Sequence, residues 1–168
     1  MVVSVVVNAA QTQAVLFGDG GAAAAMSRGS VFVMCSTVDP NVSVGFEKQL
    51  AVMGLLYLDA PISGGAAKAA TGDTLAAMAA KVYKLGDGAG NGSKVKIINQ
   101  LLAGVHIAAA AEAMALGLRE GVDAAALYEV ITHSAGNSWM CENRMPHVLS
   151  GDYTALSAVD IFVKDLGL

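Results

Sequence analysis

The chain has 168 residues, of which 55% are hydrophobic and 5% aromatic, and its formal net charge is -4. This length suffices for one sizeable domain or two small ones. The acidic balance and the lack of a basic block give no support for nucleic acid or an anionic membrane as a partner. Cys35 and Cys141 form no pattern, which is typical of a protein from the reducing cytoplasm.

The first third of the chain alternates strand-like and helix-like patterns. Three short apolar runs predict buried strands, at residues 2–7, 31–35 and 55–58. Asn8 can cap a helix over residues 9–17, and Asp39 followed by a proline opens another helix to about residue 53. Strands and helices that alternate with short connections predict a parallel sheet.

The second half of the chain is helical in character. Helical spacing of apolar residues covers residues 93–118, 123–132 and 140–149. We therefore predict an α/β domain over residues 1–87 and an all-helical domain over residues 88–168, which begins with the long helix. The apolar part of that helix is long enough to cross a membrane, but its many alanines and the polar His106 and Glu112 argue against a span.

Lys96 is the strongest candidate for chemistry. It lies in an apolar run of the long helix where few other positions are polar, so we expect a mostly buried helix. A lysine held in a cleft can have a lowered pKa and act as an acid or a base. Asn99 and Gln100 share its helical face, where they can orient the lysine and a substrate. The competing interpretation is a solvent-exposed polar stripe.

The segment Ser63-Gly64-Gly65 is a candidate for a ligand-binding loop. It follows the third predicted strand, and the carboxyl end of a parallel strand is where open α/β sheets bind ligands. Its hydroxyl and backbone N–H groups suit a carboxylate. By itself, such a segment can equally be a simple turn.

Two further glycine-rich segments are weaker candidates. Residues 86–92 are either a flexible entry to the long helix, with Asn91 or Ser93 as its cap, or a backbone that passes close to a ligand. Residues 18–23 match the G-x-G-x-x-A dinucleotide fingerprint, but a predicted helix separates them from the preceding strand. We therefore interpret them as a loop that ends a helix.

No metal site is predicted. The three histidines, His106, His133 and His147, lack the spacing of metal ligands, and no paired CxxC motif is present. Trp139 is assigned to the hydrophobic core.

Four segments, taken in order, resemble motifs of the β-hydroxyacid dehydrogenases, the 3-hydroxyisobutyrate dehydrogenase family, and especially its sugar-acid branch. They are CSTVDP at residues 35–40, DAPISGG at 59–65, the run from GAG at 88–90 to KIINQ at 96–100, and KDLGL at 164–168. The resemblance implies part of a doubly wound Rossmann-type parallel sheet followed by an all-helical domain. It also implies hydride transfer between a short 3-hydroxy acid, such as threonate, and NAD, with NADP not excluded.

The resemblance further implies roles for individual residues. Lys96 would be the catalytic lysine, which takes the substrate's hydroxyl proton as hydride leaves for NAD. The substrate would be bound by Ser63, Gly64, Gly65, Asn99 and Gln100. The cofactor would be lined by Val6, Val7, Thr37 and Lys164. A cytoplasmic homodimer or homotetramer that binds a small hydroxy acid is implied as well.

The chain departs from the family pattern at three places. The family's first β-α-β unit, whose glycine-rich turn holds the pyrophosphate, would lie before Met1. A strand that begins near residue 71 runs at once into a helix-like stretch, so we expect residues to be absent between Leu75 and Ala76. The family's closing helices would follow Leu168. We therefore expect these 168 residues alone to show no measurable dinucleotide binding.

Two other functions stay open at this point. An inactive fragment can associate with itself or a partner through its alanine-rich helical surfaces. Imine reduction on a related fold is a weaker interpretation, because Ser63 and Lys96 together suit a substrate with a carboxylate and a hydroxyl.

Overall fold

The computed structural model of the protein describes residues 1–63, 81–155 and 157–168. The elements in these ranges are β1 (Val2–Ser4), α1 (Ala9–Phe17), α2 (Ala22–Ala25), β2 (Val31–Met34), α3 (Pro40–Val52), β3 (Leu56–Asp59), α4 (Asn91–Arg119), α5 (Ala124–Thr132), α6 (Trp139–Ser150) and α7 (Asp160–Leu166). The strand predicted to begin near residue 71 lies outside the described residues.

The three described strands form one parallel sheet in the order β1-β2-β3, as the alternating pattern predicts. In the central strand, Val33 pairs with Val3 on one side and with Leu58 on the other. β1 ends at Ser4, so the predicted strand end at residue 7 is wrong. Beyond Ser4 the backbone leaves the ladder, and the N–H of Val7 donates instead to the side chain of Gln11 at 2.8 Å.

The helices beside the sheet begin where local capping side chains predict. The side-chain oxygen of Asn8 accepts from the N–H of Gln11 at 2.9 Å, and the carboxylate of Asp39 accepts from the N–H of Asn41 at 2.6 Å. Both interactions satisfy backbone donors that have no partner inside their helix. The core between the helices and the sheet is formed by the buried side chains Leu16, Ala23, Phe32, Met34, Val38, Phe46, Leu50 and Leu55.

Two short helices were not predicted from the sequence. α2 consists of four alanines, which have no apolar periodicity, and α7 has only seven residues, too few for a helical pattern to stand out. Their positions are set by packing and by backbone hydrogen bonds rather than by a local signal.

The chain splits into two compact units. The first comprises Met1–Ile98 and Val163–Leu168 and contains the sheet, whereas the second comprises Asn99–Phe162. α4 therefore begins in the first unit and ends in the second. The predicted domain boundary between residues 87 and 88 stays a prediction.

Within the second unit, α5 and α6 pack around a small cluster that contains Met114, Cys141 and Met145. Asp123 caps α5 by accepting from the N–H of Ala126 at 2.9 Å. The assignment of Trp139 to the core is wrong, because its side chain is 49% exposed. With about 3.6 residues per turn, Trp139 lies on the opposite side of α6 from Cys141 and Met145.

Candidate active site

Lys164 connects two loops at the carboxyl edge of the sheet, where open α/β sheets bind ligands. Its Nζ donates to the carbonyl oxygen of Val7, after β1, and to that of Thr37, after β2, both at 2.9 Å. The same Nζ lies 2.7 Å from Oδ1 of Asp165. Three of the four residues predicted to line a cofactor are thus brought together, and the fourth, Val6, is half-buried next to Val7.

One carboxylate joins the end of β3 to the start of α4. Oδ2 of Asp59 accepts from the N–H groups of Gly90 and Ser93, both at 2.9 Å, and Oδ1 accepts from the hydroxyl of Ser93 at 2.8 Å. The predicted cap, Asn91 or Ser93, is therefore wrong: both residues lie inside α4. The carboxylate that satisfies the helix start comes from a residue 31 positions before Gly90.

Two glycines permit this close approach. A Cβ on Gly92 would lie 2.6 Å from the carbonyl oxygen of Asp59 and 2.9 Å from Cδ of Pro61. Gly90 has a φ of +88°, and a Cβ there would lie 3.0 Å from the carbonyl oxygen of Pro40. In the described structure, this end of the glycine-rich run therefore allows two backbone segments to approach each other.

Lys96 lies one turn after Ser93 and is partly buried. Burial lowers the pKa of Lys96 below that of an ordinary lysine, because the charged form loses solvation. The nearby carboxylate of Asp165 opposes this shift by favouring the charged form, and the positive charge of Lys164 adds to it. Asp165 is only 1% exposed, so its charge is weakly screened by solvent. Such an amine can both accept and return a proton.

The expectation that the long helix is mostly buried is wrong. Exposed apolar side chains along α4 include Leu101, Leu102, Val105, Leu116 and Leu118. Among the described helices, α4 is long and apolar enough to cross a membrane, judged by length and composition alone. The prediction failed because apolar composition does not tell which sides of a helix are covered.

The residues predicted to bind substrate are only partly described. Ser63 is exposed, whereas Gly64 and Gly65 lie outside the described residues. On α4, Asn99 is exposed and Gln100 is buried, so Lys96, Asn99 and Gln100 do not form an evenly exposed polar stripe. The roles of these residues stay predictions.

The roles of two acidic residues, Asp59 and Asp165, were not predicted from the sequence. In the sequence, Asp59 stands only as the first residue of the DAPISGG motif, because its partners Gly90 and Ser93 are 31 and 34 residues away. Asp165 was noted only as the neighbour of Lys164, because nothing local links it to Lys96.

Within the described ranges, no group of three or more histidine, cysteine or acidic side chains could hold a metal ion.

Two family models match the chain. One is described as the NAD binding domain of 6-phosphogluconate dehydrogenase and matches residues 1–85. The other is described as the NAD-binding of NADP-dependent 3-hydroxyisobutyrate dehydrogenase and matches residues 90–168. The chain belongs to the 3-hydroxyisobutyrate dehydrogenase (β-hydroxyacid dehydrogenase) family. The resemblance inferred from the four motifs is thereby confirmed.

Curated relatives in the β-hydroxyacid dehydrogenase family include two L-threonate dehydrogenases. The protein from Cupriavidus necator is 64% identical over an alignment of 185 positions, which covers 100% of this chain and 62% of the relative. The protein from Haemophilus influenzae is 51% identical, and the match covers 99% of this chain and 61% of the relative. The chain thus spans about three fifths of the length of these relatives.

Solved structures of the same family have the same fold. A 3-hydroxyisobutyrate dehydrogenase from Salmonella typhimurium matches with a TM-score of 0.89 and 52% identity, over 98% of this chain and 63% of that one. A 3-hydroxyisobutyrate dehydrogenase from Mycobacterium tuberculosis, solved with L-serine, matches with a TM-score of 0.80 and 25% identity, over 98% of this chain and 64% of that one. The predicted fold class, a Rossmann-type parallel sheet followed by a helical region, is confirmed.

Proposed function

We propose that this protein is an oxidoreductase that transfers a hydride between a short 3-hydroxy acid and a nicotinamide cofactor. The observation that carries the proposal is Lys96, a partly buried lysine with a lowered pKa beside Asp165 and Lys164, in the unit that contains the sheet. Similarity to two L-threonate dehydrogenases along nearly the whole chain supports the same reaction class. It also disfavours the alternative of an inactive interaction module.

Lys96 supplies acid–base chemistry in this proposal. During oxidation, its neutral amine accepts the proton of the substrate hydroxyl. The C–H bond on the same carbon breaks, the hydrogen leaves with both electrons as hydride, and the remaining carbon and oxygen form a carbonyl group. During reduction, the ammonium form returns the proton to the oxygen. The lowered pKa increases the neutral fraction at physiological pH, whereas Asp165 favours the ammonium form.

The cofactor that we propose is NAD, and NADP is compatible with the same residues. The carboxyl edge of the sheet suits the nicotinamide end, because open α/β sheets bind ligands there and Lys164 holds the loops at Val7 and Thr37 together. Together with Val6, these residues would hold that end, and the bound cofactor supplies the hydride acceptor. The connections after β1 and β2, both fully described, contain no glycine-rich turn for a pyrophosphate.

For the substrate we propose a sugar acid such as threonate. The exposed hydroxyl of Ser63 follows the end of β3 and suits a carboxylate, with Gly64 and Gly65 as further contacts. Asn99 and Gln100 follow Lys96 on the same helix, and their side-chain amides suit substrate hydroxyl groups. The names of the two curated relatives support threonate in particular.

We further propose a cytoplasmic homodimer or homotetramer, without a nucleic-acid or membrane partner. The exposed apolar side chains on α4, among them Leu101, Leu102 and Val105, suit burial at a protein interface. Cys35 and Cys141 are buried free thiols, which agrees with a reducing compartment. Light scattering measures the molar mass directly, and a monomer would contradict the proposed assembly.

Replacement of Lys96 tests the function in the gene product that contains this chain. Lys96→Ala should lower kcat for L-threonate oxidation by roughly 10²- to 10⁴-fold, because the acid–base group is lost. Affinity for NAD, measured by titration calorimetry, should change little. Lys96→Arg is the matched control that keeps the charge. Its kcat should fall as far as that of Lys96→Ala, because a guanidinium stays protonated.

Two results would contradict this proposal in different ways. Wild-type turnover in both variants would remove Lys96 from the mechanism. A wild-type protein that oxidises no short hydroxy acid with NAD or NADP would contradict the function itself.

A further inference from the structure

The first turn of α4 is fixed by more than an ordinary helix cap. Both carboxylate oxygens of Asp59 are used, one by the N–H groups of Gly90 and Ser93 and the other by the hydroxyl of Ser93. Ser93 is fully buried, at 0% exposure. Hydrogen bonds to an ionised acceptor are about twice as strong as neutral ones. Asp59 and Ser93 therefore form a partly buried, charge-assisted connection.

This connection links the helix start to the sheet. Asp59 is the last residue of β3 and pairs in register with Met34 of β2. The following residue, Ala60, donates its N–H to the carbonyl oxygen of Met34 at 2.9 Å. The Asp59 carboxylate therefore fixes the first turn of α4 at the carboxyl edge of the sheet, where Lys164 binds the loops after β1 and β2.

The position of Lys96 depends on the same turn. Ser93 and Lys96 are three residues apart in one helix, so they are neighbours on one helical face. A small rotation or shift of the first turn would move Lys96 with it, since the backbone between them is a regular helix. Close approach at Gly92 leaves no space for another side chain between this turn and the end of β3.

We propose that Asp59 and Ser93 are positioning residues, which hold the helix turn before Lys96 against β3 so that the lysine amine meets the reacting hydroxyl. This inference rests on the proposed function. Neither residue contacts the reacting atoms in this proposal, and both act through the placement of Lys96. Catalysis is sensitive to placement, because a shift of about 1 Å in a reacting group can cost about 100-fold in rate.

The test uses Asp59→Asn in the gene product that contains this chain. Asparagine keeps the shape of the side chain but removes the charge. The hydrogen bonds from Gly90 and Ser93 should therefore weaken, while the packing around residue 59 is kept. We expect kcat to fall by roughly 10- to 100-fold, while KM for NAD changes little. Asp123→Asn is the matched control, because Asp123 caps α5 in the other unit with one comparable bond, and it should leave kcat unchanged.

Ser93→Ala is a second variant that removes only the hydroxyl. If the two residues act as one unit, the double variant should lose no more activity than Asp59→Asn alone, rather than the product of the two losses. Hydrogen exchange at the amides of Gly90 and Ser93 should also become faster in Asp59→Asn, whether or not the protein turns over a hydroxy acid.

The outcomes separate this inference from the proposed function. Faster exchange with unchanged kcat would overturn the positioning role, and so would equal losses of kcat in Asp59→Asn and Asp123→Asn. If Asp59→Asn does not fold, unchanged kcat in Ser93→Ala would overturn it as well. If Lys96→Ala keeps full turnover, the function of Lys96 fails independently of Asp59.

Discussion

Lys96 shows how the surroundings of one residue set its chemistry. Burial disfavours the ammonium form, Asp165 favours it, and Lys164 disfavours it, with burial as the largest effect. The apolar run around Lys96 is visible in the sequence, and it predicted a lysine with perturbed chemistry. Asp165 was not predicted as its neighbour, because the two residues are far apart in the chain and meet only through tertiary packing.

The lowered pKa of Lys96 predicts a specific dependence of stability on pH. Below the lowered pKa of the folded state, both the folded and the unfolded chain carry the proton, and the folded state bears the cost of the partly buried charge. Between the lowered pKa of the folded state and about 10.4 in the unfolded state, the unfolded chain binds more protons, so stability rises with pH. Lys96→Met carries no such charge, so at lower pH it should be more stable than the wild type. This difference in unfolding free energy should shrink as the pH approaches about 10.4.

Urea unfolding of the wild type and Lys96→Met across neutral and alkaline pH measures this difference in unfolding free energy. Lys94→Met, at an exposed position of the same helix, controls for the loss of one positive charge. A stability difference that widens with rising pH would show that burial does not lower the pKa of Lys96.

At the scale of single elements, helix starts were predictable where the cap is local. Asn8, Asp39 and Asp123 each bind an N–H within three residues, and all three starts were predicted. For α4 the predicted start at residue 93 lies two residues after the observed one, and the capping residue was misassigned, because the Asp59 carboxylate is 31 and 34 residues from its partners. Short-range patterns thus predicted the helices and strands, but they did not show which distant side chain completes the start of α4.

Two helical glycines offer a matched test of this close approach. Gly92→Ala should cost about 1–3 kcal/mol, because its Cβ would overlap backbone and proline atoms at Asp59 and Pro61 that cannot rotate away. Gly45→Ala in α3 meets nothing within 4 Å, so it should stabilise the protein by up to about 1 kcal/mol through helix propensity. Thermal unfolding of both variants measures the contrast, and equal shifts in Tm would argue against contact at Gly92.

At the scale of the whole molecule, the described residues provide one end of a dinucleotide site. Lys164, Val7 and Thr37 meet at the sheet edge, but the fully described strand-to-helix connections have no glycine-rich turn. The 168-residue polypeptide alone should therefore show no measurable NAD binding in titration calorimetry, because the described connections after β1 and β2 offer the pyrophosphate no anion site. The relative from Cupriavidus necator, titrated under the same conditions, is the positive control. Micromolar affinity of the polypeptide would contradict the prediction.

The contacts of Lys164 also have a consequence for how the protein is made. Its amine reaches carbonyl groups that lie 157 and 127 positions earlier in the chain. Ribosomes add about 5–20 residues per second, so the loops after β1 and β2 leave the ribosome several seconds to about half a minute before Lys164 does. The contacts of Lys164 with the loops after β1 and β2 can therefore form only well after both loops have been synthesised.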